Sequence, residues 1–190
     1  IDELIQAFSL ERVSKSGAKF DPQKTRWFNC ETLRMRSTET LVAAFAADLN
    51  ERGVTVPSTD FLTTVVEALR ERATFVSDFW EQGSFYFEAP ETYDPKAAKK
   101  QWKPGTPALM NDLCTVLEST TDFSPESLAQ TVKTWIGEQE VGFGKVMQPL
   151  RLSLVGASKG PDIFEIASML GRTETVARIR TAIERLSTPA

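Results

Sequence analysis

The chain is organised around the stretch from Gly144 to Gly171, GKVMQPLRLSLVGASKGPDIFEIASMLG. An apolar segment carries a single arginine, Arg151; a small-residue loop, Gly156 to Gly160, follows; a second helix is expected to open at Pro161. Proline suits the first helical position because the amide hydrogen it lacks is one that a helix leaves unpaired there. A helix start also presents unpaired N–H groups and the positive end of its dipole, which suits an anion or a polar base edge. Spacing alone leaves two readings open. One is a turn between packed helices; the other is a recognition corner in which Arg151 faces the new N-terminus across the loop. Pro149 marks a helix start or a kink, since inside a helix it removes a hydrogen bond, and such a bend would aim Arg151 at the loop.

Helical spacing dominates the rest of the chain. Asp2 to Phe8 reads as a short helix with Leu4, Ile5 and Phe8 on one side. Asp21–Pro22 opens a helix carrying Lys24, Trp27 and Phe28, and burial is expected for the two aromatic residues. Leu41, Val42, Phe45 and Leu49 recur at helical spacing between Thr38 and Gly53. Ser58 is a candidate N-cap for one long helix reaching Gly83, with an apolar stripe through Phe61, Leu62, Val65, Val66, Leu69, Ala73, Val76 and Trp80, and with Arg70 and Arg72 in its middle.

The aromatic run Phe85-Tyr86-Phe87 is either a stacking surface or an apolar plug. The connector behind it, EAPETYDP, is the best boundary between two helical subdomains. Pro95 opens a short basic helix whose Lys96, Lys99 and Lys100 either touch phosphates or solvate its face. Further helices are expected over Pro107 to Leu117, from a Ser124–Pro125 cap, and from a Thr173 cap with Val176, Ile179, Ile183 and Leu186 inward and arginines outside. Strand signals are scarce. The expectation is an all-α helical bundle or cage of two packed helical subdomains.

Charge narrows the function. With 22 Lys+Arg against 26 Asp+Glu the net charge is −4, whereas a general nucleic-acid binder carries a basic footprint. Any RNA contact must come from a local patch or from base recognition. Lys145, Arg151, Lys159, Arg172, Arg178, Arg180 and Arg185 form a candidate patch; Glu165, Glu174 and Glu184 interleave with them, and a solvated mixed-charge surface competes with it. The chain has no histidine, which excludes a histidine triad and removes the commonest general base. Cys30 and Cys114 are too few and too far apart for a disulfide framework or a zinc site. No catalytic residue and no metal ligand is identified. With no apolar run of membrane length and no leader pattern at the start, a cytoplasmic monomer is expected.

The segment QPLRLSLVGASKGPDIFEIASMLGR, followed by a terminal amphipathic helix, closely resembles the C-terminal end of bacterial glutamyl-tRNA synthetases. FSLERVSKSGAKFDPQKTRWFN resembles the segment just beyond the ATP-binding loop of that class I synthetase family. The two blocks stand in the family's order and at about its interval, so the resemblance covers essentially the whole chain. It implies an anticodon-binding portion separated from its catalytic core. Residues 1–35 would then end the tRNA stem-contact region, and residues 36–88 and 89–190 would be two anticodon-binding helical subdomains. VSKSG, Val13 to Gly17, echoes the family's KMSKS loop, but AKFDPQK follows it, and the family places that string downstream of the true loop; Ser14 to Gly17 reads as a connector. Opening at Ile1, without methionine, fits a trimmed portion of a longer protein. NCETLR replaces the more usual asparagine–x–x–tyrosine continuation, which puts the contacts of that tyrosine in question.

Anticodon bases are unpaired and present their Watson–Crick edges, so protein side chains can read them. A guanidinium is a planar donor fork able to give two bonds to the O2/N3 edge of a cytosine. By resemblance, Arg151 corresponds to an arginine contacting the first anticodon base, with Gln148 beside it on the same helical face. Gly160, Pro161 and Ile163 correspond to the loop holding the first and second bases. The family often has threonine where Gly160 stands, so only a backbone contact survives there. Arg72 corresponds to an arginine reading the third base; the competing reading is a surface arginine in helix salt bridges. The resemblance further implies that the parent enzyme activates glutamate with ATP and Mg²⁺ and transfers it to the tRNA. This portion, with no cofactor of its own, would select the anticodon loop of the glutamate tRNA and pack on the missing catalytic core. A reading from another class is a helical protein-interaction module without RNA affinity, in keeping with the acidic net charge.

Overall fold

The computed structural model describes residues 1–12, 17 and 19–187; apart from Gly17, the Ser14 to Gly17 connector lies outside the described residues. Among these the chain forms ten α-helices, two short 3-10 helices and no strand: α1 (Asp2–Ala7), α2 (Pro22–Met35), α3 (Thr38–Glu51), α4 (Thr59–Arg70), α5 (Ser77–Gly83), α6 (Pro95–Gln101), α7 (Thr106–Ser119), α8 (Pro125–Glu138), α9 (Phe143–Val155) and α10 (Ile163–Ser187). The all-α expectation holds. Most starts are chemically marked. Asp21, Ser37, Ser58, Asp94 and Ser124 each accept backbone N–H bonds from the first turn they precede, and α2, α6 and α8 place proline in that turn.

Helices α3, α4 and α5 pack together, and α7, α8 and α9 pack against one another and against α10. Leu41, Phe45, Leu62, Val65 and Leu69 of the first group and Met110, Leu113, Leu128, Leu150 and Ile179 of the second belong to one connected apolar core. The aromatic run bridges the groups as a plug. Phe85 and Tyr86 are buried, and the Phe87 ring packs against Phe45, Phe61 and Trp80.

Four local expectations are corrected. The long helix from Ser58 to Gly83 breaks at Glu71, and α5 begins at Ser77. In the break, Asp78 accepts the N–H groups of Thr74 (2.7 Å) and Phe75 (3.1 Å), while Asn29 and Cys30 of α2 bond the carbonyls of Thr74 and Ala73. Side chains thus take over backbone groups that a continuous helix would have paired internally. Trp27 and Phe28 are exposed rather than buried, at 58% and 52%. Only the second half of α2 makes docking bonds, so the two rings pack edge to face on each other, 5.0 Å apart. The last helical stretch is interrupted at Gly171, whose φ of 77° and ψ of 166° are not helical; Thr175, not Thr173, bonds across the kink to the Ala167 carbonyl.

The fourth correction concerns the arginines of this stretch, expected outside. Arg178 is 4% exposed. Its Nη1 donates to the carbonyls of Phe85 (2.6 Å) and Leu154 (3.1 Å), and its Nε pairs with Glu174 at 2.7 Å. Leu154 lies in the final turn of α9, where a cation both satisfies an orphan carbonyl and complements the helix dipole. Next to it, Gly156 ends α9 at φ 76°, and its carbonyl accepts the Asp94 N–H at 2.8 Å. A Cβ there would lie 2.8 Å from the Thr92 carbonyl oxygen.

Two outcomes are expected. Gly156→Ala combines left-handed strain with a backbone clash and lowers stability by about 2 kcal/mol or more, read by urea denaturation. Arg178→Leu strands two buried carbonyls and costs about 3 kcal/mol in the same measurement, whereas Arg180→Leu, at an exposed ion pair with Glu118, costs under about 1 kcal/mol.

Candidate nucleic-acid interface

Helix α9 runs through Pro149 rather than starting at it, and Pro149 is buried inside the helix. With no N–H at this position the Lys145 carbonyl loses its helical donor. The Ser153 hydroxyl donates to the Pro149 carbonyl at 2.9 Å. Two residues on, Arg151 is half-buried and donates through Nη1 to the Pro161 carbonyl at 2.8 Å. Burial lowers the Arg151 pKa, the charge of Asp162 opposes this, and the charge of Arg72 adds to the lowering. An arginine carries five N–H donors, and the Pro161 carbonyl engages one, which leaves donors of the planar fork for an acceptor pair.

The loop after α9 differs from expectation at its far end. The helix opens at Ile163, not at Pro161, and Asp162 caps it by accepting from Phe164 N (2.8 Å) and Glu165 N (3.2 Å). The helix start is therefore occupied by a carboxylate and is no anion site. Of the loop residues, Pro161 and Ile163 are buried, and Gly160 lies under Arg151. A Cβ on Gly160 would come within 3.1 Å of Arg151 Nη1, so its missing side chain is the space into which the guanidinium leans.

Arg151, Gln148 and Ile163 line a cleft of about 500 Å³ between α8, α9 and the start of α10, walled also by Lys133, Phe143 and Asp162. Arg72 is exposed in the break after α4, outside any helix, and no ion pair of the described residues includes it. Its charge nonetheless reaches both Arg151 and the buried Tyr86 phenol. Burial raises the Tyr86 pKa, Glu165 raises it further, and its hydroxyl has no hydrogen-bond partner among the described residues.

The C-terminal cationic patch disperses. Arg178 is buried, Arg172 donates to the carbonyls of Thr120 and Thr121, Arg180 pairs with Glu118, and Arg185 donates to the Glu91 carbonyl. A different basic surface forms between α6 and α9. There Lys96, Lys100, Lys103 and Lys145 line a second cleft of about 570 Å³. Gln148 lines both clefts.

Sequence reasoning missed Asp162, Phe143, Lys133 and Gln101. Asp162 carried a readable signal, an aspartate immediately before an apolar helical run. Phe143 stands between two glycines, and its 49% exposure is unusual for so large an apolar side chain. Lys133 and Gln101 carry no local signal, because only packing brings α6 and α8 to the two sides of α9.

Comparisons with known proteins identify the family and the fold. The chain matches the family described as "Anticodon binding domain" over residues 37–183. It is 48% identical to a glutamate–tRNA ligase of Flavobacterium johnsoniae and 45% identical to one of Christiangramia forsetii, in each case over 98% of this chain and 37% of the relative. The chain thus spans little more than a third of the length of these relatives. A crystal structure of a glutamate tRNA ligase from Elizabethkingia meningosepticum, in complex with its amino acid, superposes with a TM-score of 0.88 at 42% identity, covering 97% of this chain and 36% of that one. A glutamate-tRNA synthetase structure from Elizabethkingia anophelis gives 0.83 at 40% identity, over 96% of this chain and 36% of that one. With most of its residues inside the family match and its whole fold shared with these ligases, the chain belongs to the anticodon-binding-domain family.

Proposed function

We propose that this chain is the anticodon-reading portion of a glutamate–tRNA ligase, and that Arg151 reads the first anticodon base. The observation that carries the reading is the Arg151 fork. One of its donors is fixed to the Pro161 carbonyl, and the side chain lines an open cleft with room for a nucleobase. Gln148 adds an amide to that cleft, Ile163 an apolar wall, and the exposed Phe143 ring a face on which a base can stack. Arg72, whose charge is felt at Arg151, is assigned to the third base. At Gly160 and Pro161 only the backbone is offered to the RNA. Residues 1–35 are assigned to the tRNA stem side, and residues 36–88 and 89–190 to two anticodon-binding subdomains.

The parent ligase would attach glutamate to the tRNA with ATP and Mg²⁺. Among the described residues no cluster of three or more acidic, histidine or cysteine side chains is placed to hold a metal, and the chain has no histidine. The contribution of this portion is selection of the tRNA rather than chemistry. A module that binds proteins and not RNA gains no support from the family match.

Fluorescence anisotropy with the anticodon stem-loop of the glutamate tRNA tests the assignment. Arg151→Ala is expected to erase about 1–3 kcal/mol of preference over a loop with the first anticodon base exchanged, with little change toward that exchanged loop. Unchanged affinity and unchanged base preference in this variant would sink the assignment.

A further inference from the structure

We propose that the lysine-lined cleft between α6 and α9 holds backbone phosphates of the RNA strand whose bases enter the Arg151 cleft. The proposal rests on the anticodon reading given above. Lys96 and Lys100 lie one turn apart on α6, and Lys145 lies near the start of α9, so lysines from two segments distant in sequence line one cleft. Every ion pair among the described residues is made by an arginine, and Lys96, Lys100 and Lys145 enter none of them. Among the described residues the one carboxylate lining the cleft, Asp94, is engaged in capping α6 through the N–H groups of Lys96 and Ala97, at 2.8 and 2.9 Å. On a chain of net charge −4, such a group of unpaired cations is a local exception that calls for an anionic partner.

The shared wall identifies the partner. Gln148 lines both clefts, and its Oε1 accepts from Gln101 Nε2 at 3.1 Å, while the same amide nitrogen donates to Ser158 Oγ at 3.0 Å. This bridge ties α6, α9 and the loop after α9 together between the two clefts. A strand that inserts a base beside Arg151 passes its sugar–phosphate chain over Gln148 and toward the lysines. Ammonium groups are point charges without the planar fork of arginine, which suits phosphates and carries no base preference. A free acidic peptide would have no such reason to lie against the Arg151 cleft.

The test compares the 190-residue chain with K96A/K100A/K145A in stem-loop titrations across a series of salt concentrations. All three side chains are exposed, and the thermal melt by circular dichroism is expected to be unchanged. The variant is expected to bind cognate and base-exchanged loops roughly tenfold more weakly at low salt, with a slope of log affinity against log salt about two units shallower, as for about three lost contacts to a single strand. The ratio between the two loops should stay as in the parent chain, and K96R/K100R/K145R should restore the slope. An unaltered slope and affinity in the alanine variant would overturn the proposal. So would retained RNA binding together with lost binding of a polyglutamate peptide, which would assign the cleft to an acidic protein partner. If Arg151→Ala removes base preference while the lysine variant changes nothing, only the phosphate site falls. A parent chain without base preference, whose slope the lysine variant still lowers, would sink the anticodon reading and leave the phosphate site standing.

Discussion

The guanidinium of Arg178 sits where three parts of the chain meet: the carbonyl of Phe85 in the aromatic plug, the carbonyl of Leu154 in the last turn of α9, and the Glu174 carboxylate one turn back in α10. A buried charge is tolerated only where such partners surround it. Glu174 reaches solvent while the arginine does not, so the ion is neutralised at its outer edge and hydrogen-bonded at its inner one. The arrangement fixes the end of α9 against the plug, and with it the start of the Gly156 to Gly160 loop. The placement of Arg151 one turn earlier depends on that fixed end. The glycine at Gly156 serves the same junction from the backbone side, since only a residue without a side chain lets the Thr92 carbonyl approach so closely.

The two kinds of cation divide between architecture and surface. Arginines supply every ion pair among the described residues, and Arg172, Arg178 and Arg185 also satisfy backbone carbonyls left by helix ends and loops. Their forked donors suit that work. The lysines of α6 and α9 lie outside these pairs. An acidic protein can in this way keep a cationic face, because positive charge in the fold is not spread evenly over its basic residues.

Much of the helical layout was legible because its signals are local. Capping side chains, proline at first turns and apolar spacing located α3, α7 and α8 and the starts of α2, α4 and α6 without any knowledge of tertiary contacts. Burial was legible only where the neighbouring element was itself in the stripe. The rings of Trp27 and Phe28 look like core residues by type, yet the docking bonds of α2 begin one residue later. The break after α4 was missed because, beside the local Asp78, the groups that stabilise it are Asn29 and Cys30, some forty residues away on α2. In the same way the convergence of Arg151 with Gly160, Pro161 and Ile163 could be argued from a short loop. The meeting of Lys96 and Lys100 with Lys145 could not, since nothing in either segment refers to the other.

The partner that holds Arg151 is a main-chain oxygen, that of Pro161. A carbonyl is present whatever residue occupies the position, so replacement of the proline side chain leaves the acceptor itself in place. The more delicate neighbour is Gly160, where an added Cβ would come within 3.1 Å of Arg151 Nη1 and the guanidinium must shift by a few tenths of an ångström to admit it. Tolerance to change in this loop is therefore uneven at the level of single positions. The residue that bonds Arg151 can vary in chemistry as long as the turn keeps its course, while a side chain on the residue beside it would re-aim the guanidinium itself.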